Sequence, residues 1–342
     1  MTQGKIGNLS LLAGVRIENT EDSSWGWTRQ RFPSTAAQQA ADPVGSADRD
    51  YAQNRRELKG DYTKSFPSAH LTYDVTRKLK ARLSWSTSFG RPPMTSLMPS
   101  ESISEANQTI TVSNPSLLPQ MTKNWDASVD YYLEPVGLFS VGWFQKSISK
   151  YIVSGVLQGT VSSGADNGFN GEYSGFKLLS ASNAGNADVK GWEFSYQQQL
   201  SFLPGILRGL SVSANYTAID TNGNFGATTQ ISSGQVAGFV PRTGNLSLSW
   251  RYRKFAARVL YSYTSDYILS YTATSVGRNQ YRFAREITNL GVDYAIKPAL
   301  KFSIDVNNLT NQPIANYRGV PSQLETYVAQ GVAITAGFSG RF

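Results

Sequence analysis

Apolar and polar residues alternate with a period of two along most of this chain, a pattern that places successive side chains on opposite faces of a strand. It is plainest where Leu210, Val212, Ala214 and Tyr216 interleave with Ser211, Ser213, Asn215 and Thr217, and where Leu300, Phe302, Ile304 and Val306 interleave with Lys301, Ser303, Asp305 and Asn307. Leu246, Leu248, Trp250 and Tyr252 do the same against Asn245, Ser247, Ser249 and Arg251. About twelve such segments predict strands over roughly 9–20, 67–75, 79–89, 124–134, 138–153, 188–200, 209–220, 243–252, 255–265, 285–296, 299–308 and 329–342.

The connections between them are about 46, 3, 34, 3, 34, 8, 22, 2, 19, 2 and 20 residues, long and short in strict turn. An up-and-down barrel in an outer membrane has this asymmetry, with tight turns on the periplasmic side and long loops outside the cell. A soluble sandwich has no reason to sort its loops so. Glu134, Pro135, Val136 and Gly137 form a Pro/Gly turn, and Arg253 with Lys254 and Lys297 with Pro298 suit two-residue connections. The long segments, such as 162–171 and 220–226, are rich in Gly, Ser, Asn and Asp.

Each strand's apolar phase extends over about 4 or 5 alternate positions, close to the 9 to 11 residues with which a tilted strand crosses hydrocarbon. Arg16, Glu18, Arg82, Asp126, Asp130 and Asp305 fall on the other phase, which suits a watery lumen and would be costly in a packed core. Aromatic residues gather toward strand ends: Tyr131, Tyr132, Trp250, Tyr252, Phe255 and Tyr294 near the short turns, Trp85, Phe89, Tyr261 and Tyr263 toward the long loops. Two interfacial girdles are expected from this, since such rings settle where one side is apolar and the other wet.

Composition narrows the function. The 342 residues include no cysteine and one histidine, His70, so disulfides, thiolate sites and the usual zinc and haem ligand sets are excluded; no metal and no cofactor is expected. No apolar run approaches the roughly 20 residues of a membrane-crossing helix. The mean hydropathy of −0.32 is what alternating strands average to. The formal charge of +8 is scattered, at Arg29 and Arg31, Arg55 and Arg56, and Arg77, Lys78 and Lys80, with no nucleic-acid-binding signature. No basic-then-apolar leader opens residues 1–10, so the natural amino terminus is expected upstream of Met1.

In the last strand Val332, Ile334, Ala336, Phe338, Gly340 and Phe342 share one face. With its terminal aromatic, this resembles the signal read by the barrel-assembly machinery, carried here by Phe338, Gly340 and Phe342. Further segments, Ser86–Pro93 (STSFGRPP), Asn114–Leu133 (NPSLLPQMTKNWDASVDYYL), Val189–Tyr216, Asp305–Pro313 (DVNNLTNQP) and Gly337–Phe342 (GFSGRF), resemble the carboxy-terminal half of TonB-dependent receptors, in particular a group linked to carbohydrate or complex-nutrient uptake. The resemblance implies an all-β, transmembrane, antiparallel up-and-down barrel, with about twelve of the family's 22 strands here and the plug and TonB box absent. It makes residues 1–342 the carboxy-terminal portion of one barrel domain. It implies the outer membrane of a Gram-negative bacterium, with outer-membrane lipid, the assembly machinery, a small solute and, for the longer protein, the TonB complex as partners.

The function expected is TonB-dependent uptake of a scarce carbohydrate or siderophore, without enzymatic chemistry. Candidate ligand contacts are Trp25, Trp27, Arg29 and Arg31 in the first long loop and Tyr267 and Tyr271 in the fifth, because aromatic faces pack on sugar rings or flat chelates and Arg pairs with anions. A small passive porin is an alternative. A lipid hydrolase using a serine with His70 is another, although no G-x-S-x-G elbow is present.

Overall fold

The computed structural model describes residues 2–29, 33–52, 54–224, 235–271 and 276–340. Its framework is thirteen strands that follow one another up and down in a single sheet. They begin with β1 (Thr2–Ile6), β2 (Leu9–Trp27), β3 (Arg55–Asp74) and β4 (Leu79–Gly90). Two short strands, β5 (Glu101–Ser104) and β6 (Thr109–Val112), interrupt the sequence, and the framework resumes with β7 (Gln120–Leu133), β8 (Gly137–Thr160), β9 (Lys177–Gln199), β10 (Leu210–Asn224), β11 (Arg242–Tyr252) and β12 (Phe255–Thr264). After β13 (Tyr267–Ser270) and β14 (Gln280–Arg282) come β15 (Arg285–Lys297) and β16 (Leu300–Asn307); after β17 (Ile314–Arg318) and β18 (Leu324–Val328) comes β19 (Ala333–Gly340).

All twelve expected strands are present, and the alternation of tight turns and long excursions holds along the chain. The differences have physical causes. β1 carries no alternation signal because Thr2–Ile6 holds one large apolar residue; it pairs with β2 across Gly7 and Asn8, where Gly7 takes the positive φ that the turn needs. β2, β3, β8 and β9 run well past their expected ends at the long-loop side, beyond the lipid-facing rows, where alternation no longer marks a strand. The turn expected at Lys297 and Pro298 lies at Pro298 and Ala299, because a register shift between Ala295 and Lys297 uses one more residue in β15.

Register carries the apolar phase across the sheet without a break. Leu11, Leu71, Leu83, Ala127, Trp143 and Trp192 stand opposite one another on successive strands. So do Val212, Leu248, Val259, Leu290, Val306 and Ile334. Most of these large apolar side chains are exposed, Leu248 at 40% and Ile334 at 70%. A sheet in water would bury such a surface; here it is the surface that meets lipid.

At the short-turn end a belt of rings, Tyr252, Phe255, Tyr294, Phe302 and Phe338, joins neighbouring strands, with centroids 4.7 Å apart for Phe255 and Tyr294 and 5.0 Å for Phe302 and Phe338. Tyr131, Phe139 and Tyr196 continue it. Tyr132, expected in this girdle, lies on the inner phase opposite Leu138, since adjacent strand residues cannot both face out.

The inner phase is polar, and several of its charges pair across strands. Arg82 bonds Asp130, which also accepts the Ser140 hydroxyl at 2.6 Å. Lys301 lies 3.2 Å from Asp293. Arg258 reaches Asp305 at 2.5 Å across the intervening β15, where Gly291 leaves the passage free: a Cβ there would stand 2.6 Å from Arg258 Nε and 2.9 Å from Asp305 Oδ1.

Buried apolar side chains sit at the long-loop end. Leu97, Ile110, Leu117, Val153, Val156, Val161, Val236 and Ile268 are all covered there. Among the described residues, β1 pairs only with β2 and β19 only with β16, so the sheet has two open edges.

Placing a charge in the lipid-facing row separates the two phases. Leu248→Arg is expected to lower the stability of the vesicle-inserted protein by about 2–4 kcal/mol. Ser247→Arg, one residue away on the inner phase, is expected to change it by less than about 0.5 kcal/mol. Denaturant unfolding in vesicles measures both, and equal effects would contradict the assignment of faces.

Candidate functional site

The long excursions pack into a roof. β5 and β6 form a hairpin within 91–119, and β6 then pairs in parallel with the upper end of β9, Thr109–Val112 against Lys177–Ser180. A second sheet, β13-β14-β17-β18, joins the excursions 265–284 and 308–332. It is fastened by rings and charge: Tyr281 stacks on Tyr317 at 5.0 Å, Gln280 donates to Glu325 at 2.7 Å, and Arg318 Nε donates to the same carboxylate at 2.7 Å. These bonds, that of Gln280 foremost, hold the Glu325 carboxyl below the usual carboxylate range.

The residues expected to touch a ligand fall into separate groups. Trp25 and Trp27 meet edge to face at 5.0 Å, nearly half exposed, with the Arg55 guanidinium 4.4 Å over Trp25. An unbroken register sets them on the phase of Leu11 and Val15. The opposite face of β2 is covered there, Ser24 bonding Leu97 O and Gly26 pressed against Pro99, so the two indoles face away from the roof.

Arg29, by contrast, is inside the roof with its side chain 5% exposed. Its guanidinium lies 3.6 Å from Glu172, donates to Tyr173 Oη at 3.4 Å and stands over the Tyr173 ring. Nearby Asp50, 2% exposed, accepts the Ser34 backbone N–H at 2.8 Å and its hydroxyl at 2.9 Å. Burial raises the Tyr51 phenol above its ordinary value, with Arg29 opposing. Burial likewise raises the Glu101 carboxyl, again against the pull of Arg29, and Glu101 Oε1 has no hydrogen-bond partner.

Tyr267 opens β13 opposite Arg282. Tyr271 packs on the cluster Val153, Val156, Ala187 and Val236, donates its hydroxyl to Gln235 O and accepts the Ala237 N–H at 3.1 Å. Arg31 lies outside the described residues, as does Phe342. Phe338 is 69% exposed on the outer phase, and Gly340 lies opposite Leu300.

One cluster was not legible in the sequence. Phe89, expected in the upper girdle, stacks on Phe66 at 4.8 Å, and Tyr62 meets its edge. Arg16 stands 5.0 Å over Phe66 and Arg91 4.9 Å over Phe89. Glu18 pairs with both arginines. Both guanidiniums remain more than half exposed, so two cations flank an aromatic stack and face solvent. The partners come from β2, β3 and the segment after β4, so no local motif announces them.

His70 sits in mid-strand on the inner phase between Leu12 and Ser84. Among the described residues no group of His, Cys, Asp or Glu is arranged to hold a metal ion.

A sheet with a continuous lipid-facing phase, a charged inner phase and a roof of long excursions defines an outer-membrane barrel. Residues 1–309 match the family model for the β-barrel of TonB dependent receptor-like proteins, and the chain belongs to that family. Its sheet is thus barrel wall of the Gram-negative outer membrane, in a family of receptors and transporters rather than enzymes. Solved structures of like fold include the ferric-catecholate import receptor Fiu from E. coli K12, with 13% identity, a TM-score of 0.68 and 98% of this chain aligned to 42% of that one. The ferric citrate transporter FecA, unliganded, has 14% identity, a TM-score of 0.63 and coverages of 99% and 43%. A mutant ferric enterobactin receptor from Pseudomonas aeruginosa has 16% identity, a TM-score of 0.61 and coverages of 84% and 42%. The chain spans less than half the length of these three receptors. None of the curated proteins compared with it matches.

The roof should respond to pH through Glu101. Its raised value means that the folded roof favours the protonated acid, so this contribution is fully present below the ordinary carboxylate value of about 4.3 and is lost as pH rises through the raised one. Glu101→Gln is expected to abolish that dependence and to slow amide exchange at Ile103 and Ile110 near neutral pH. Exchange profiles unchanged by the substitution would refute this.

Proposed function

We propose that this chain is the carboxy-terminal part of the barrel of a receptor that takes up a scarce ferric chelate in a TonB-dependent manner. The observation that carries the ligand class is the solvent-facing cluster of Arg16 and Arg91 about the Phe66–Phe89 stack. Guanidinium forks pair with carboxylate or catecholate oxygens, and the stacked rings, with Phe66 3% exposed, hold the two guanidiniums in place. The net charge of +8 favours an anionic ligand over a neutral sugar, and the solved receptors of like fold are described as carrying ferric catecholate, citrate and enterobactin. Trp25, Trp27 and Tyr267 offer further aromatic surface, while Arg29 and Tyr271 act by holding the roof in shape.

In this reading the open edges of β1 and β19 pair with the remaining strands of a longer protein, since hydrocarbon leaves no unpaired backbone donor or acceptor without cost. Transport and the grip on TonB belong to that longer protein. Phe338, Gly340 and Phe342 serve delivery by the assembly machinery. A carbohydrate ligand is the second reading, supported by the segments that resemble nutrient-uptake receptors and by the exposed indoles.

Quenching of intrinsic fluorescence by a ferric catecholate, measured on the detergent-solubilised chain, tests the ligand class. Saturable binding is expected, weakened at least tenfold, or about 1.4 kcal/mol, by Arg16→Ala together with Arg91→Ala. Saturable binding of an oligosaccharide with none of the chelate would replace the first reading with the second.

A further inference from the structure

Glu18 engages both arginines of the solvent-facing cluster at once. Its two carboxylate oxygens are divided between them, Oε1 bonded to Arg16 Nη1 and Oε2 3.3 Å from Arg91 Nη2, while Arg91 also donates to Thr20 Oγ1 at 3.4 Å. An acidic group of a ligand would be held in the same way, with one guanidinium on each oxygen. The arginines are the fixed members of this group. Each guanidinium lies over one ring of the Phe66–Phe89 stack, whose planes are 9° from parallel, and Phe66 is 3% exposed. Glu18 projects from β2 and can turn about its own side-chain torsions without disturbing the stack.

The carboxylate also has a second partner within range. Arg16, Glu18 and Thr20 share the inner phase of β2, and the register sets Glu18 directly opposite Lys64 of β3, which is partly exposed. Side chains paired in this way have Cβ atoms about 4.5–5.5 Å apart, close enough for a carboxylate and an ammonium to meet. Lys64 is thus a third cation around one acid. A change of rotamer carries the Glu18 carboxylate from the arginines to Lys64 and frees the donors of both guanidiniums, with no movement of the backbone.

We propose that Glu18 is a specificity-determining residue of this site: its carboxylate competes with ligand oxygens for Arg16 and Arg91, and a ligand binds by displacing it onto Lys64. The inference rests on the ferric-chelate reading given above and adds a threshold to it. A carboxylate tethered to the same face acts at an effective concentration of about millimolar or more. A free monocarboxylate offers the arginines nothing that Glu18 does not, so it fails to dislodge the internal group. A chelate that presents several anionic oxygens on a rigid frame satisfies both guanidiniums together and overcomes it. Affinity for every ligand is lowered by the fraction of time the arginines are taken, and small acids are rejected in return.

The test is a fluorescence titration of the full chain in mild detergent with a ferric tris-catecholate, with benzoate as competitor. Glu18→Gln keeps the size of the side chain and removes its charge. It is expected to tighten chelate binding by about tenfold or more and to let millimolar benzoate compete, which benzoate does not do in wild type. Lys64→Met is expected to weaken chelate binding by about threefold or more in wild type and to have no effect once Glu18→Gln is present, because no displaced carboxylate then needs a partner. If Lys64 merely attracted the anion, it would weaken binding equally in both backgrounds. Heat-modifiable gel migration verifies that each variant is folded. Chelate binding no tighter in folded Glu18→Gln than in wild type, equal competition by benzoate in the two, or an equal effect of Lys64→Met in both backgrounds would overturn the inference and leave the chelate reading in place. Absence of chelate binding by both wild type and Glu18→Gln would overturn the two together.

Discussion

Everything in this protein follows from the demand that backbone polar groups be paired where no water can reach them. A sheet meets that demand between its strands, and once strands are chosen the period of two divides every residue between lipid and lumen. The paired rows from Leu11 to Trp192 and from Val212 to Ile334 are the outcome on one side. On the other, the same geometry sets acids and bases within reach across strands, as at Arg82 and Asp130 or Arg258 and Asp305. Neither face has a conventional core, and the stability that packing supplies is concentrated in the roof.

That division explains what could be read from the sequence and what could not. Alternation is a local property of the chain, so the strands around Leu210–Thr217 and Leu300–Asn307 were visible at once, and the length of each connection told inside from outside. Above the membrane no strand face has to meet lipid, the pattern lapses, and residues 55–66 carry no strand signal. The short strands of the second sheet, with three to five residues each, lie below the length at which a period can be recognised.

The candidate site was less legible, for a related reason. Trp25, Trp27 and Arg29 are candidates by residue type, and type does not report burial: the indoles are exposed while the guanidinium is held by Glu172 and Tyr173, residues far along the chain. The Arg16–Phe66–Phe89–Arg91 stack depends on contacts among separate strands. Phe89 looked like a girdle residue because alternation alone placed it there. Only the packing at the strand tops shows that its ring turns to Phe66.

The parallel pairing of β6 with β9 has a mechanical consequence. A hairpin carried by one excursion is stitched, main chain to main chain, onto a strand that continues unbroken into the bilayer. A push on that hairpin from outside therefore travels as strain along β9 itself, as through a lever arm, instead of dissipating in a slack tether. Whatever lands on this part of the cell surface is mechanically in touch with the wall of the barrel.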